Sequence, residues 1–269
     1  MPPASVPAQS VLPSTPCRRD CWRRLPLALA LVGGSSAVLA AHPLQTEDTG
    51  TQGAGNVELE NGSTFQRTRE GHVAMYQLQA SLGATADLDL IVQPAWLRQR
   101  TSDGATASGP GDTNVDAKWR YFGASPLTLA IRAGGTVTTA SRGLGIGGHR
   151  PALHAVLVAT LDLAPLSLHV NVGDTREPSG TGLRGHVPFV SSAALYALDE
   201  RWMLCGELAA SRDPDPRVVP WSASVLAGVI RTLRPGLDLD AGWQSNVWAS
   251  SAAPHSRQWL VGLTWRFAP

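Results

Sequence analysis

Lysine, cysteine, charge and long apolar runs are all scarce in this chain of 269 residues. Lys118 is the sole lysine, so basic character rests on arginine. Charged residues make up 16%, below the quarter usual for a soluble domain. A net charge of +1 offers no bulk attraction for nucleic acid. Cys17 and Cys21 fall near the start, and Cys205 is the only cysteine beyond residue 42. One thiol builds neither a disulfide framework nor a cysteine metal site. Beyond residue 42 no apolar run is long enough for a transmembrane helix.

What is present is punctuation and tryptophan. There are 27 Gly, 20 Pro and 9 Trp, against 3 Tyr and 4 Phe. Turn residues in such number suit many short connections, and tryptophan favours membrane interfaces. At the start, "CRRDCWRR" followed by "LPLALALVGGSSAVLAA" has the basic and apolar regions of a signal peptide. Small residues at Val38 and Ala40 place cleavage near Ala41 or His42. Residues 1–41 are therefore expected to be an export signal with an N-terminal extension, and 42–269 the mature domain.

The remainder alternates apolar and polar with a period of two in segments of ~10–13 residues, the weak signature of membrane-barrel strands. Twelve such segments fall near 56–68, 72–84, 87–100, 113–123, 126–138, 151–162, 165–176, 186–198, 201–212, 219–231, 236–248 and 257–267. In "LDLDAGWQSNVW", Leu237, Leu239, Ala241, Trp243 and Val247 share one face, and Asp238, Asp240, Gln244 and Asn246 the other. Segments six, eight and ten are weaker, with apolar residues on both faces. Tight turns ("GATAD", "GASPL", "LAPL", "ALDER", "TLRPG") interleave with mostly longer loops such as "TSDGATASGPGDT" and "TASRGLGIGGHRP". Short turns at one end and long loops at the other is the plan of an outer-membrane barrel. The expectation is an all-β, closed antiparallel transmembrane barrel of about twelve strands, with both termini periplasmic.

Alternation alone does not separate this from a soluble sandwich. Strand length, recurrent Trp near strand ends and paired charges on the polar face favour the barrel. The lumen-lining set is then Glu58, Glu60, Asp89, Asp116, Lys118, Arg120, Arg132, His169, Asn171, Glu207, Asp238, Asp240, Gln244 and Arg266. Arg201 and His154 fall on or near the same face. The lipid-facing girdle set is Trp119, Trp243, Trp259, Trp265 and Phe267. Charges in a narrow lumen should pair, giving either a barrel closed by its own ion pairs or a charged path that sorts solutes.

Whole-chain order also carries a resemblance. The blocks "HPLQTEDTGTQGAGNVELENG", "RAGGTVTTASRGLGIGGH", "LHVNVGDT", "LDLDAGWQSNV" and "VGLTWRF" resemble, in sequence, the outer-membrane proteins associated with the meta-cleavage pathway of phenol degradation. Two departures stand out: "TVTTAS" where that family has Pro-Thr-Gly, and Ala268-Pro269 after the terminal aromatic Phe267. The resemblance implies passive transport of small, hydrophobic or aromatic solutes, with outer-membrane lipid and the barrel-assembly machinery as partners, and no cofactor.

Other chemistry is thinly supported. "GLGIGG" (143–148) lacks the strand-to-helix setting of a phosphate loop. No Gly-x-Ser-x-Gly elbow is present. His154 and His169 read as hydrogen-bonded lumen histidines rather than metal ligands, so neither an enzyme nor a metal site is expected. The alternatives left open are a plugged structural or lipid-acting enzymatic barrel, and a secreted soluble β protein.

Overall fold

The computed structural model describes residues 42–68, 71–140, 150–178, 182–217, 221–248 and 256–267. Proposed signal residues 1–41, the 143–148 loop and Ala268-Pro269 lie outside the described residues.

Alternation at period two sets the architecture. Fourteen strands form one antiparallel sheet. They are β1 (Val57–Thr68), β2 (Gly71–Gly83), β3 (Leu88–Gln93), β4 (Ala95–Thr101), β5 (Thr106–Pro110), β6 (Thr113–Ala124), β7 (Leu127–Val137), β8 (Ala152–Leu163), β9 (Leu166–Arg176), β10 (His186–Ala197), β11 (Trp202–Arg212), β12 (Trp221–Arg234), β13 (Leu237–Trp248) and β14 (Arg257–Phe267). β14 pairs with β1, from Val57 opposite Phe267 to Arg67 opposite Arg257. β1 also pairs along its length with β2. The sheet thus closes on itself and leaves no edge at the seam, as strands in lipid require.

The fourteen strands make twelve staves. β3 and β4 are one stave interrupted at Pro94, which has no N–H to give the ladder. Its carbonyl still accepts from Leu78 N–H at 3.2 Å. β5 and β6 are likewise one stave broken at Gly111-Asp112, where Gly111 N–H donates to the Ala95 carbonyl at 2.9 Å. By sequence β5 reads as loop, because Gly, Ser and Pro crowd it. Its pairing with β4 overrides that local preference. β12 runs past the expected end at 231 to Arg234, helped by a bulge between Thr232 and Arg234.

The tight turns lie at one end, together with Val57 and Phe267. Gly236 takes φ +76° in the β12–β13 turn, a left-handed conformation costly for other residues. Large apolar side chains point outward: Trp259 is 63% exposed, Leu208 61% and Leu157 55%. Buried residues inside include Arg132, Asp89, Asn171 and Glu207. This is the reverse of a water-soluble sandwich and far exceeds the apolar patch a soluble monomer shows. The soluble alternative is thereby excluded.

Candidate functional site

The lumen is not an open tube. Residues 42–56, ahead of β1, thread through it as an extended segment with no regular secondary structure. Such a backbone inside a barrel needs partners for its N–H and C=O groups, and lumen side chains supply them.

The segment begins against β12–β14. His42 Nδ1 donates to Asp240 Oδ1 at 2.7 Å, and His42 N–H to Glu60 at 3.3 Å. Glycines make the room. A Cβ on Gly62 or on Gly262 would collide with the His42 ring. Gly228 and Gly242 give the same clearance to Pro43. Leu44 then enters an apolar pocket of Ala193, Cys205, Leu226 and Leu260.

From there the chain continues along β10, β11 and β13. The N–H groups of Gln45 and Thr46 both donate to one Glu207 oxygen at 2.7 Å. Gln45 reaches Gln244 at 2.9 Å, and Thr46 reaches Ser191 at 2.9 Å. Asn171's amide clamps the Glu47 backbone, donating to its carbonyl and accepting from its N–H, each at 2.9 Å.

Glu47 is the centre of the charge network. Its carboxylate receives Lys118 Nζ at 2.9 Å and Arg132 Nη1 at 2.6 Å. Arg132 also forks onto Asp116 through Nε at 2.9 Å and Nη2 at 2.6 Å. Asp116 in turn accepts from His154 Nε2 at 2.6 Å. Asp48 lies 3.8 Å from Lys118. Burial raises the Asp48 pKa, but the Lys118 charge, with lesser help from His169 and the Gly50 N–H, outweighs this and holds it below the usual carboxylate value. Thr49 N–H donates to Thr160, whose hydroxyl meets His169 Nδ1 at 2.9 Å, while the Thr49 and Thr128 hydroxyls share a hydrogen bond. Gln52 completes the path, with its N–H on Asp89 and its amide on Glu58 at 2.6 Å.

Nine of the expected lining residues therefore touch the segment directly: Glu58, Glu60, Asp89, Lys118, Arg132, Asn171, Glu207, Asp240 and Gln244. Asp116 and His169 stand one bond behind them. The rest are placed elsewhere. Arg120 is at the tight-turn rim, where its N–H donates to the Asp87 carbonyl of the β2–β3 turn at 2.9 Å and its side chain binds Asp87 at 2.7 Å. Arg266 bridges Glu58 at 2.6 Å and Asp238 at 2.5 Å near the same mouth. Arg201 sits in the β10–β11 turn and is exposed. Trp119, Trp259 and Trp265 are outward and exposed. Trp243 pairs with Trp259 on that face, and Phe267 stacks on Trp265 at 4.2 Å.

Two features do not show in the strand pattern of the sequence. One is the segment itself, whose signal is a non-alternating stretch with an acidic pair placed directly before the first strand. The other is that the lumen is partly apolar. Beside the Leu44 pocket, Ala130, Val156 and Val158 form a second patch against Phe189. The two patches together draw on β7, β8, β10, β11, β12 and β14, among them the staves that alternate weakly because both faces are apolar. The Asp116–His154 pair has two members of a hydrolase triad, but His154 Nδ1 has no partner, so no hydroxyl completes it. Among the described residues no group of three or more His, Cys, Asp or Glu could hold a metal ion.

No family model matches the chain, and no curated protein matches it. Solved structures do. The COG4313 outer membrane channel from Pseudomonas putida F1 superposes with a TM-score of 0.68 at 12% identity, over 82% of this chain and 98% of that one. The fold is that of an outer-membrane barrel. The NanC porin gives a TM-score of 0.56 at 8% identity, over 77% of this chain and 98% of its own. The KdgM porin in complex with disordered oligogalacturonate gives 0.54 at 9%, over 78% and 99%.

Proposed function

We propose that the chain is an outer-membrane channel for passive movement of small, hydrophobic or aromatic solutes, gated by its own residues 42–56. The observation that carries this reading is the composition of the lumen. A charged latch at Glu47 holds the segment across it, and two apolar patches line its wall. Leu44 occupies one patch, so undocking the segment frees an apolar surface suited to an apolar solute. The likeness to solved channels supports the barrel, and the resemblance to the phenol-pathway proteins supports aromatic solutes. In this reading the protein's work is selection and gating.

The test is transport in reconstituted vesicles. Uptake of a small aromatic such as phenol should exceed that of a sugar of similar size, and deletion of residues 42–54 should raise both. Equal uptake of the two by the intact protein would remove the apolar preference. No uptake by either form would remove the channel reading.

A further inference from the structure

The outer wall carries a band of positive charge that the channel reading leaves unused. Ladder register places Arg257, Arg67, His72 and Arg100 side by side on β14, β1, β2 and β4: Arg67 is opposite both Arg257 and His72, and His72 is opposite Arg100. All four side chains are exposed on the apolar, outward face. Arg98 is also outward, two residues further along β4. Each of the four lies within two residues of the long-loop end of its strand.

Arg67 and Arg257 are like charges directly opposite one another, an arrangement that destabilises a sheet. Several other cations of the barrel have carboxylate partners: Arg266 has Glu58 and Asp238, Arg120 has Asp87, and outward His186 has Asp174 at 2.7 Å. Among the described residues no carboxylate pairs with any of the five. Below the row the same wall turns aromatic, with Phe65 packed edge-on to Tyr76 and with exposed Trp96 and Trp259. Cations above an aromatic and aliphatic wall match an amphiphile with an anionic head and acyl chains. The row crosses three inter-strand gaps, about 14 Å at the usual strand spacing, wide enough for a headgroup with more than one phosphate.

We propose that this row is a binding site for the phosphorylated headgroup of an outer-leaflet glycolipid, with the guanidinium groups on phosphate and the acyl chains along Phe65, Tyr76, Trp96 and Trp259. Arginine suits phosphate because its donors match two oxygens at once. The proposal rests on the outer-membrane reading, which sets the long-loop end outward.

The experiment uses the full mature protein in detergent, with lipid retained through gel filtration measured by mass spectrometry. The probes are bisphosphorylated lipid A, its dephosphorylated form and inorganic phosphate. The expected result is retention of the phosphorylated lipid alone. Arg67→Gln with Arg100→Gln and Arg257→Gln should weaken it about 10- to 100-fold, while Arg176→Gln on the opposite wall leaves it unchanged. Equal retention of the dephosphorylated lipid by the unaltered protein overturns the proposal without any variant. So does equal retention by the triple variant in heat-modifiable, folded form, or full displacement by millimolar phosphate. A chain that fractionates with the outer membrane yet retains no phosphorylated lipid refutes this site alone. A chain recovered soluble in the periplasm refutes the membrane reading as well.

Discussion

Glu47→Gln is the substitution that probes the gate most sharply. It keeps shape and removes one charge from a site where Lys118 and Arg132 converge at 2.9 and 2.6 Å. All three side chains are buried. Removing one partner of a buried ion pair costs ~3–5 kcal/mol, because the remaining charge is left without compensation. Here both cations keep a second carboxylate, Arg132 on Asp116 at 2.6 Å and Lys118 on Asp48 at 3.8 Å. The low end, about 3 kcal/mol, is therefore the appropriate figure, a factor of roughly 150 in the docked-to-undocked ratio. The loss falls on docking and not on the barrel, since Glu47 lies outside every strand. Single-channel recording in planar bilayers should show rare openings in the parent and openings up to roughly 150-fold more frequent in the variant, with unchanged unit conductance and heat-modifiable mobility. Unaltered gating in Glu47→Gln, alongside frequent openings when residues 42–54 are deleted, would refute the latch at Glu47 while leaving the gate.

Three further outcomes follow from the same geometry. Gly62→Val places side-chain atoms where the His42 ring now lies, and should raise opening without touching any charge; gating like the parent's would show that His42 does not seat there. Leu239→Arg, on the outward face of β13 at 41% exposure, should cost about 2–4 kcal/mol near the midplane, whereas Gln244→Ala, inside, should cost about 1–2 kcal/mol for its bonds to Gln45 and Ser224; equal losses in urea unfolding from lipid would contradict the face assignment. Asp48 has a lowered pKa in the docked state, so its contribution to docking is complete above the ordinary carboxylate pKa and is lost as pH falls through the depressed value. Open probability should accordingly rise on acidification below about pH 4, and a rise confined to alkaline pH would contradict that sign.

The barrel is legible because its period survives in the sequence. "LDLDAGWQSNVW" alternates from Leu237 to Gln244 and "QWLVGLTWRF" does so apart from inward Leu260, and both match strands that begin and end within a residue of expectation. β5 is not legible, since Thr106–Pro110 is made of turn residues and is held only by β4. Lumen polarity is legible one strand at a time, which is why Asp116, Lys118 and Arg132 can be named. What they hold cannot be read from them, because their common partner Glu47 is 71 and 85 positions from Lys118 and Arg132. Such long-range closure leaves no local period. The in-strand glycines are a usable clue: Gly62, Gly228, Gly242 and Gly262 all face inward toward His42 or Pro43. A glycine inside a strand often marks a close approach by other chain.

The central claim, that residues 42–56 open and close the lumen, is tested most directly by a reversible tether. Thr46 Oγ1 lies 2.9 Å from Ser191 Oγ on β10, and Cys205 is the one free cysteine among the described residues. Thr46→Cys and Ser191→Cys, built on Glu47→Gln with Cys205→Ser, join the segment to the wall when oxidised. The account predicts frequent openings under reductant and a silent channel once the disulfide is verified by mass. Equal conductance with the bond intact would contradict it.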